Sequence, residues 1–309
     1  HARWTDYMTI SGVKVFSDLE KGINADGIDI DGCRNVTISD CIVETGDDAI
    51  VLKTTNLHGE SRSCENVTVN NCVLQSSSTA LKLGTESHAD FRYISFNNCV
   101  IRNSNRGLSI VIRDGGTAEN IQFSNIMVEC SRRHFNWWGN ADPIWLVVLK
   151  RRPDSSVGSI RNITFNNIIA HGMGTSKIEG FEGKPLENIR MNNVQFFMHP
   201  ENYIDKRADD AFRAVNVNDL WLTDVSVKWD TTSVEPLWRN AFTFEKVNNA
   251  VLNRLSGTNA PTAKGSFIEL KNTYDIRIEN CLPLSGTASF LKYNKKENGE
   301  VLLKSNNWK

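Results

Sequence analysis

The chain has 309 residues, of which 40% are hydrophobic and 23% charged, so it is long enough to enclose a large core. Its 35 basic and 36 acidic residues leave a net charge of −1, which argues against a nucleic-acid partner or an acidic disordered tail. No apolar run approaches the roughly 20 residues that a membrane-spanning helix needs. We therefore expect a single domain over residues 1–309, without a nucleic-acid partner or a membrane span.

A short phrase that alternates apolar and polar residues recurs ten times along the chain, as in NVTISDC, NVTVNNC and NITFNNI. The apolar residues that open the phrase are 26 to 31 positions apart, with one step of 42 between Ile121 and Ile163. A nearly constant period in this range is typical of repeat architectures. The opening residues are Met8, Val36, Val67, Ile94, Ile121, Ile163, Ile189, Leu220, Ala250 and Ile276.

Each copy has the period-2 alternation of a half-buried strand, and most copies are followed by a second alternating segment. Several short strands per repeat, joined by Asn, Asp and Gly turns, predict an all-β fold. We predict a right-handed parallel β-helix, or solenoid, of about ten rungs, in which equivalent residues stack roughly 4.8 Å apart. A β-sandwich or a β-propeller is the alternative, but the hairpin signals that those folds need are scarce here.

Four of the seven cysteines stand at the end of a copy of the phrase: Cys41, Cys72, Cys99 and Cys281. A shared place in a repeat predicts an inward-pointing stack. We therefore expect buried thiols rather than disulfides or metal ligands.

Three aspartates precede two neighbouring strands of the repeat. Asp26 lies in the sequence NADG, and Asp47 and Asp48 lie in GDD. Alignment of the rungs places Asp26 beside Asp48, and it places Asp29 in a column that points away from the core. Carboxylates this close should raise the pKa of at least one of them. A carboxylate pair with room for water, about 6.5–9.5 Å apart, is typical of inverting glycoside hydrolysis; a calcium site or a solvated turn are the alternatives.

With these residues the sequence resembles glycoside hydrolase family 28, the polygalacturonase and rhamnogalacturonan hydrolase group. Residues 24–27 match the family motif N-T-D-G and residues 46–48 match G-D-D, and Asp26 and Asp47 are 21 positions apart, as the family pattern has it. The resemblance implies inverting hydrolysis of a pectin-type plant polysaccharide or oligosaccharide. It implies Asp47 as the general acid, Asp26 and Asp48 as the pair that activates water, and Asn24 as a supporting polar group.

Two basic motifs of the family are absent. G-H-G would fall on residues 78–80, where Thr79 replaces the histidine. R-I-K would fall on residues 109–111, where Ser109 and Val111 replace the arginine and the lysine. In polygalacturonases these groups hold a galacturonate carboxylate. The departure favours the members of the family that act on rhamnogalacturonan or another branched glycan.

Other residues are predicted to rebuild the substrate site. Lys82 occupies the outward column of the missing arginine one rung earlier, His88 follows it, and Arg113 lies beyond the next strand. The long step of 42 residues contains Trp137 and Trp138, and we predict that at least one of them stacks on a sugar ring. The alternative is that the three polar residues are solvated and that the tryptophans fold back on the sheet.

The remaining features carry weaker expectations. Asp209 and Asp210 lack a preceding glycine and a partner rung, and we interpret them as a solvated turn. Only one rung precedes NADG, so we expect that N-terminal coils of the full protein are missing or that a partner segment covers this end. No cofactor and no metal are predicted, and we expect a secreted or periplasmic location.

Two other functions compete with hydrolysis. A polysaccharide lyase on the same scaffold would need calcium and a basic proton abstractor, and neither Thr79 nor Ser109 supplies a base. A non-catalytic carbohydrate-binding β-helix, such as a tailspike-like adhesin, would be compatible with the loss of the basic motifs. The products formed from pectic oligosaccharides would separate the three.

Overall fold

The computed structural model describes residues 1–133, 139–262 and 264–306, and within these ranges every regular element is a β-strand. The strands are β1 Ala2–Arg3, β2 Asp6–Ser11, β3 Lys14–Phe16, β4 Ile28–Asp31, β5 Arg34–Ser39, β6 Ile42–Thr45, β7 Ile50–Thr54, β8 Cys64–Asn70, β9 Val73–Ser76, β10 Thr79–Ser87, β11 Phe91–Asn97, β12 Val100–Ser104, β13 Arg106–Ile112, β14 Thr117–Cys130, β15 Asp142–Val148, β16 Ser159–Gly172, β17 Ser176–Glu179, β18 Leu186–Met198, β19 Phe212–Trp229, β20 Phe242–Asn253, β21 Ser256–Gly257, β22 Ile268–Lys271, β23 Tyr274–Glu279, β24 Leu282–Pro283, β25 Leu291–Tyr293 and β26 Val301–Lys304.

The strands form a parallel β-solenoid of about 11 turns, which confirms the predicted fold class. The ten residues that open the repeated phrase form nine pairs between neighbouring rungs, as the alignment predicted. Ile276 pairs in turn with Val301, which adds a rung that the phrase does not mark. Ile121 pairs directly with Ile163, so the 42-residue step keeps the register.

Inward-facing side chains stack along the axis and fill the core. Phe96, Phe123 and Phe165 form one such column, with ring centroids 4.9 and 5.0 Å apart and nearly parallel planes. This separation is that of neighbouring strands, so the stacking follows directly from the parallel register. The apolar columns that flank Asp29 are also buried, as predicted.

Asparagine occupies the corners because the chain turns there in the left-handed region. Asn120, Asn162 and Asn188 have φ values of 57°, 56° and 52°, which asparagine tolerates better than most residues. Their side chains also form a ladder. The amide of Asn162 donates to Asn120 at 3.0 Å, and the amide of Asn188 donates to Asn162 at 2.8 Å.

All seven cysteines are buried and free, so the prediction of buried thiols is confirmed. The strand register places Cys41, Cys72 and Cys99 in one column, one rung apart. Among the described residues, no helix is long and apolar enough to span a membrane.

Candidate active site

Asp26 and Asp48 lie one rung apart, in the turns that lead into β4 and β7. The amide of Gly27 donates to the carbonyl of Asp48 at 2.8 Å, and Ile28 pairs with Ile50. The predicted stacking is therefore confirmed. Gly27 allows this close approach, because a Cβ there would lie 2.5 Å from the carbonyl oxygen of Ala49 in the next rung.

The three carboxylates converge in the site. One oxygen from each of Asp26, Asp47 and Asp48 lies within 4.8 Å of the others. A shared donor contributes to this convergence. The backbone amide of Asp48 donates to Asp26 Oδ1 at 3.2 Å and to Asp47 Oδ1 at 2.9 Å, which draws both carboxylates toward one point.

Two lysines contact the outer members of this triad. Lys53 Nζ donates to Asp26 Oδ2 at 2.7 Å and to Asp29 Oδ2 at 2.8 Å. Lys82 Nζ donates to Asp48 Oδ2 at 2.6 Å. Neither lysine forms an ion pair with Asp47.

Asp47 has an environment that favours its protonated form. Burial and, after it, the neighbouring carboxylates of Asp48 and Asp26 raise the pKa of Asp47 from its usual 3.8 to about 6. Lys82 and the hydroxyl of Ser78 act in the opposite direction but do not outweigh these effects. Asp47 can therefore hold a proton in mildly acidic solution beside two other carboxyl groups, as a general acid must.

The triad opens into a cleft of about 560 Å³. Its walls carry five cationic side chains, and a tryptophan forms part of one side. The Arg106 guanidinium lies 3.3 Å from the ring centroid of Trp145 and is ion-paired with Asp142 at 3.0 Å. Arg151 binds both carboxylate oxygens of Asp114. The cationic residues are Lys53, Lys82, Arg106, Arg113 and Arg151.

Most of the predicted site residues lie in or beside this cleft. Asn24, Lys82 and Arg113 line it together with the triad. His88 is not among the lining residues, and its Nε2 lies 3.8 Å from Asp114 Oδ2. Its contact with substrate, like the other predicted roles, stays a prediction. Trp137 and Trp138 lie outside the described residues.

Sequence reasoning missed three cationic residues and one tryptophan of the cleft, and three of these four had a signal. Lys53 lies two positions after Val51 on the same strand face, and Arg106 stands in the column of Asp26 and Asp48. Trp145 pairs with Ser109 in the column of Lys82. The fourth residue, Arg151, lies after the end of β15, where no repeat position predicts its direction.

The interpretation of Asp209 and Asp210 as a solvated turn is wrong. Asp210 is fully buried, and Arg213 donates to Asp209 Oδ2 at 2.6 Å and to Asp210 Oδ2 at 2.7 Å. The pair repeats the local geometry of Asp47 and Asp48, since the Asp210 amide donates to Asp209 Oδ1 at 2.9 Å. No third carboxylate completes a triad there among the described residues.

Asp26, Asp47 and Asp48 are the one group of three acidic, histidine or cysteine side chains in the described ranges that is compact enough to surround a cation. The ammonium groups of Lys53 and Lys82 already contact two of these carboxylates. We therefore assign no metal ligand in this cleft.

Comparisons with known proteins point to one family. Residues 3–207 match the sequence model of glycosyl hydrolases family 28. A stretch of 60 residues, 19% of the chain, is 42% identical to a probable polygalacturonase of Arabidopsis thaliana. Among solved structures, the chain is similar to a hyperthermoactive exopolygalacturonase from Thermotoga maritima, with a TM-score of 0.53 and 22% identity over 63% of this chain. It is also similar to a family 28 exopolygalacturonase of Yersinia enterocolitica, with a TM-score of 0.53 and 18% identity over 73% of this chain.

The chain spans less than half of the length of each of these relatives. The matched part covers 13% of the Arabidopsis protein, 44% of the Thermotoga structure and 38% of the Yersinia structure. At 22% and 18% identity, the two structural similarities concern the fold.

Proposed function

Because the chain belongs to glycosyl hydrolases family 28, we propose that it is an inverting glycoside hydrolase that cleaves pectin-type polysaccharides or oligosaccharides. The observation that carries this proposal is the triad of Asp26, Asp47 and Asp48, in which Asp47 holds a proton up to about pH 6. Such a substrate is a plant cell-wall component, which favours action in a secreted or periplasmic location.

The proposed reaction divides the roles among the three carboxyl groups. Asp47 gives its proton to the glycosidic oxygen as the bond from that oxygen to the anomeric carbon breaks. Asp26 and Asp48 take a proton from a water molecule, whose oxygen forms the new bond to the anomeric carbon. Attack on the face opposite to the leaving group inverts the configuration.

The cleft supports a substrate that carries negative charge. The family's G-H-G and R-I-K motifs are missing, and Lys82 and Arg113 supply cations from other positions of the cleft. Asn24 supplies an amide. The face of Trp145 is covered by Arg106. We propose a galacturonide in a rhamnogalacturonan-like or otherwise branched pectic chain, since the basic groups stand in different places from those of a polygalacturonase motif set.

A product screen tests this proposal. The protein is incubated with homogalacturonan and rhamnogalacturonan oligosaccharides, with and without a chelator, and reducing ends and near-ultraviolet absorbance are followed. We expect reducing ends without absorbance, and proton NMR of the first product should show the inverted anomer. An unsaturated, absorbing product would replace the proposal with a lyase. Binding without any product would replace it with a carbohydrate-binding β-helix.

Replacement of the general acid gives a second test. Asp47→Asn cannot donate the proton, so we expect kcat to fall by roughly 10²- to 10⁴-fold on the substrate that the screen identifies. The matched control is Asp209→Asn, which changes an aspartate of the same local geometry outside the cleft and should retain the activity of the parent. An Asp47→Asn variant as active as the parent would exclude Asp47 as the acid.

A further inference from the structure

Lys53 and Lys82 are arranged alike around the triad. Both project from strands of the solenoid and are largely buried, with 15% and 14% of the side chain exposed. Lys53 reaches back one rung to Asp26, and Lys82 reaches back one rung to Asp48. Each aspartate on the outside of the triad therefore has an ammonium group within hydrogen-bond distance.

Burial makes this arrangement costly unless the charges are paired. A buried ammonium loses its hydration, and only well-placed anionic partners compensate for that loss. Burial alone would lower the pKa of Lys53, but its hydrogen bonds to Asp26 and Asp29 outweigh burial and raise that pKa above the usual range. Lys53 is thus a fixed positive charge beside one member of the triad.

We propose that Lys53 and Lys82 are positioning residues that hold Asp26 and Asp48 as carboxylates, so that the proton of the triad resides on Asp47. The assignment of Asp47 as acid and of the other two as bases rests on the proposed function. The distribution of the proton follows from the ion pairs and can be measured without a substrate. The lysines would affect the reaction through Asp26 and Asp48. This role is separate from any contact that Lys82 makes with a sugar.

Three other basic residues near the triad, His1, Arg106 and Arg151, are paired with carboxylates outside it. Asp29 and His1 lie on one side, with His1 Nδ1 3.2 Å from Asp29 Oδ2, and Asp29 also binds Lys53. On the other side, Arg106 is paired with Asp142, and Arg151 is paired with Asp114 and Glu86. Arg113 also lines the cleft. Within the described ranges, the ion pairs of His1, Arg106 and Arg151 are all with carboxylates outside the triad.

A carboxyl titration by NMR tests the proposal directly. The protein is labelled with aspartate carrying carbon-13 at the carboxyl carbon, and the signals are followed from pH 3 to 9. In the parent, we expect one triad carboxyl, missing in Asp47→Asn, to titrate near pH 6. In Lys53→Met and in Lys82→Met, we expect a second triad carboxyl to titrate at a pH higher by roughly one to three units than in the parent.

Three further variants keep this result interpretable. Lys53→Arg retains the charge and should restore the titration of the parent. Lys177→Met removes an ion-paired lysine from the outward column of Lys82, away from the cleft, and should change no triad signal. If Lys53→Met does not fold, the double variant Lys53→Met/Asp29→Asn removes the second buried carboxylate that Lys53 neutralises, and it answers the same question.

Unchanged triad titrations in both methionine variants would overturn the proposal. The titrations do not depend on turnover, so the expected shifts in a protein without hydrolase activity would support the positioning role and reject the proposed function. If the protein hydrolyses pectic chains, the acid limb of kcat/KM should move to higher pH in Lys53→Met by the same roughly one to three units. A purely structural role for Lys53 would lower the rate without moving that limb.

Discussion

A single backbone amide organises the acidic centre at the scale of residues. The amide of Asp48 donates to both Asp26 and Asp47, so two carboxylates from successive rungs meet at one hydrogen. The sequence predicted that Asp26 and Asp48 would stack, because the repeat sets the register. It did not predict the shared amide, since the direction of the Asp47 side chain depends on the turn and not on the period of the strands.

The raised pKa of Asp47 makes the stability of the protein depend on pH. The folded state binds the proton with a pKa of about 6, whereas the unfolded chain binds it near 3.8. Between these values the folded state holds more protons, so stability falls as the pH rises from about 4 to about 6. Asp47→Asn removes this dependence. After allowance for screening by solvent, we expect the variant to be more stable than the parent at pH 7 by roughly 1–2 kcal/mol.

Urea unfolding of the parent and of Asp47→Asn at pH 4 and pH 7 measures this difference. The two proteins should be close in stability at pH 4, where the carboxyl of the parent is protonated, and should differ at pH 7. An equal difference in the free energy of unfolding at both pH values would show that Asp47 destabilises the protein through its packing and not through its charge.

At the scale of elements, the corner ladder of Asn120, Asn162 and Asn188 has a direction. Each amide donates to the rung before it, so a member inside the ladder must be able both to donate and to accept. The next corner is Asp219, which pairs in register beside Asn188 and as a carboxylate can only accept. Asp219 therefore begins a second ladder, in which Asn249 donates to it.

Asp219→Asn should join the two ladders. The new amide can donate to Asn188 Oδ1, which already accepts from Arg190 at 3.1 Å and has a second lone pair, and it can still accept from Asn249. We expect a gain of about 0.5–1 kcal/mol in the free energy of unfolding, as for one exposed hydrogen bond, measured by calorimetry. Asn162→Asp is the matched control. It removes a donor from the middle of a ladder and should lower the melting temperature, and a lower melting temperature in both variants would contradict this account.

At the scale of the whole molecule, the repeat explains which features could be predicted from the sequence. The register of the ten rungs that carry the phrase, the inward columns and the stacked thiols follow from the repeat, whereas the rung of Val301 carries no copy of the phrase. The positions of residues outside the strands could not be predicted from the repeat. Arg151 reaches the cleft from a segment without repeat positions, and His88 lies against Asp114 although its distance along the chain suggested the cleft.

The error at Asp209 and Asp210 has the same origin. The sequence showed neither a preceding glycine nor a partner carboxylate, and burial was therefore not expected. The charges of Arg213 and Arg239 make that burial possible, and Arg239 comes from the next rung, between β19 and β20. Ion pairs between rungs depend on side-chain reach, which alternation of apolar and polar residues does not encode.

The burial of all seven cysteines links the folding of this protein to the redox chemistry of its thiols. In the folded state all the thiols are shielded, and burial raises the pKa of Cys64 and Cys130 and so suppresses the reactive thiolate. Unfolding would release seven ordinary thiols at once, free to form mismatched disulfides. We expect thermal unfolding to be reversible under a reductant and irreversible in air, with the refolded fraction followed by circular dichroism. Equal recovery in both conditions would contradict this. In an oxidising compartment, the rate of unfolding would then set the lifetime of the protein.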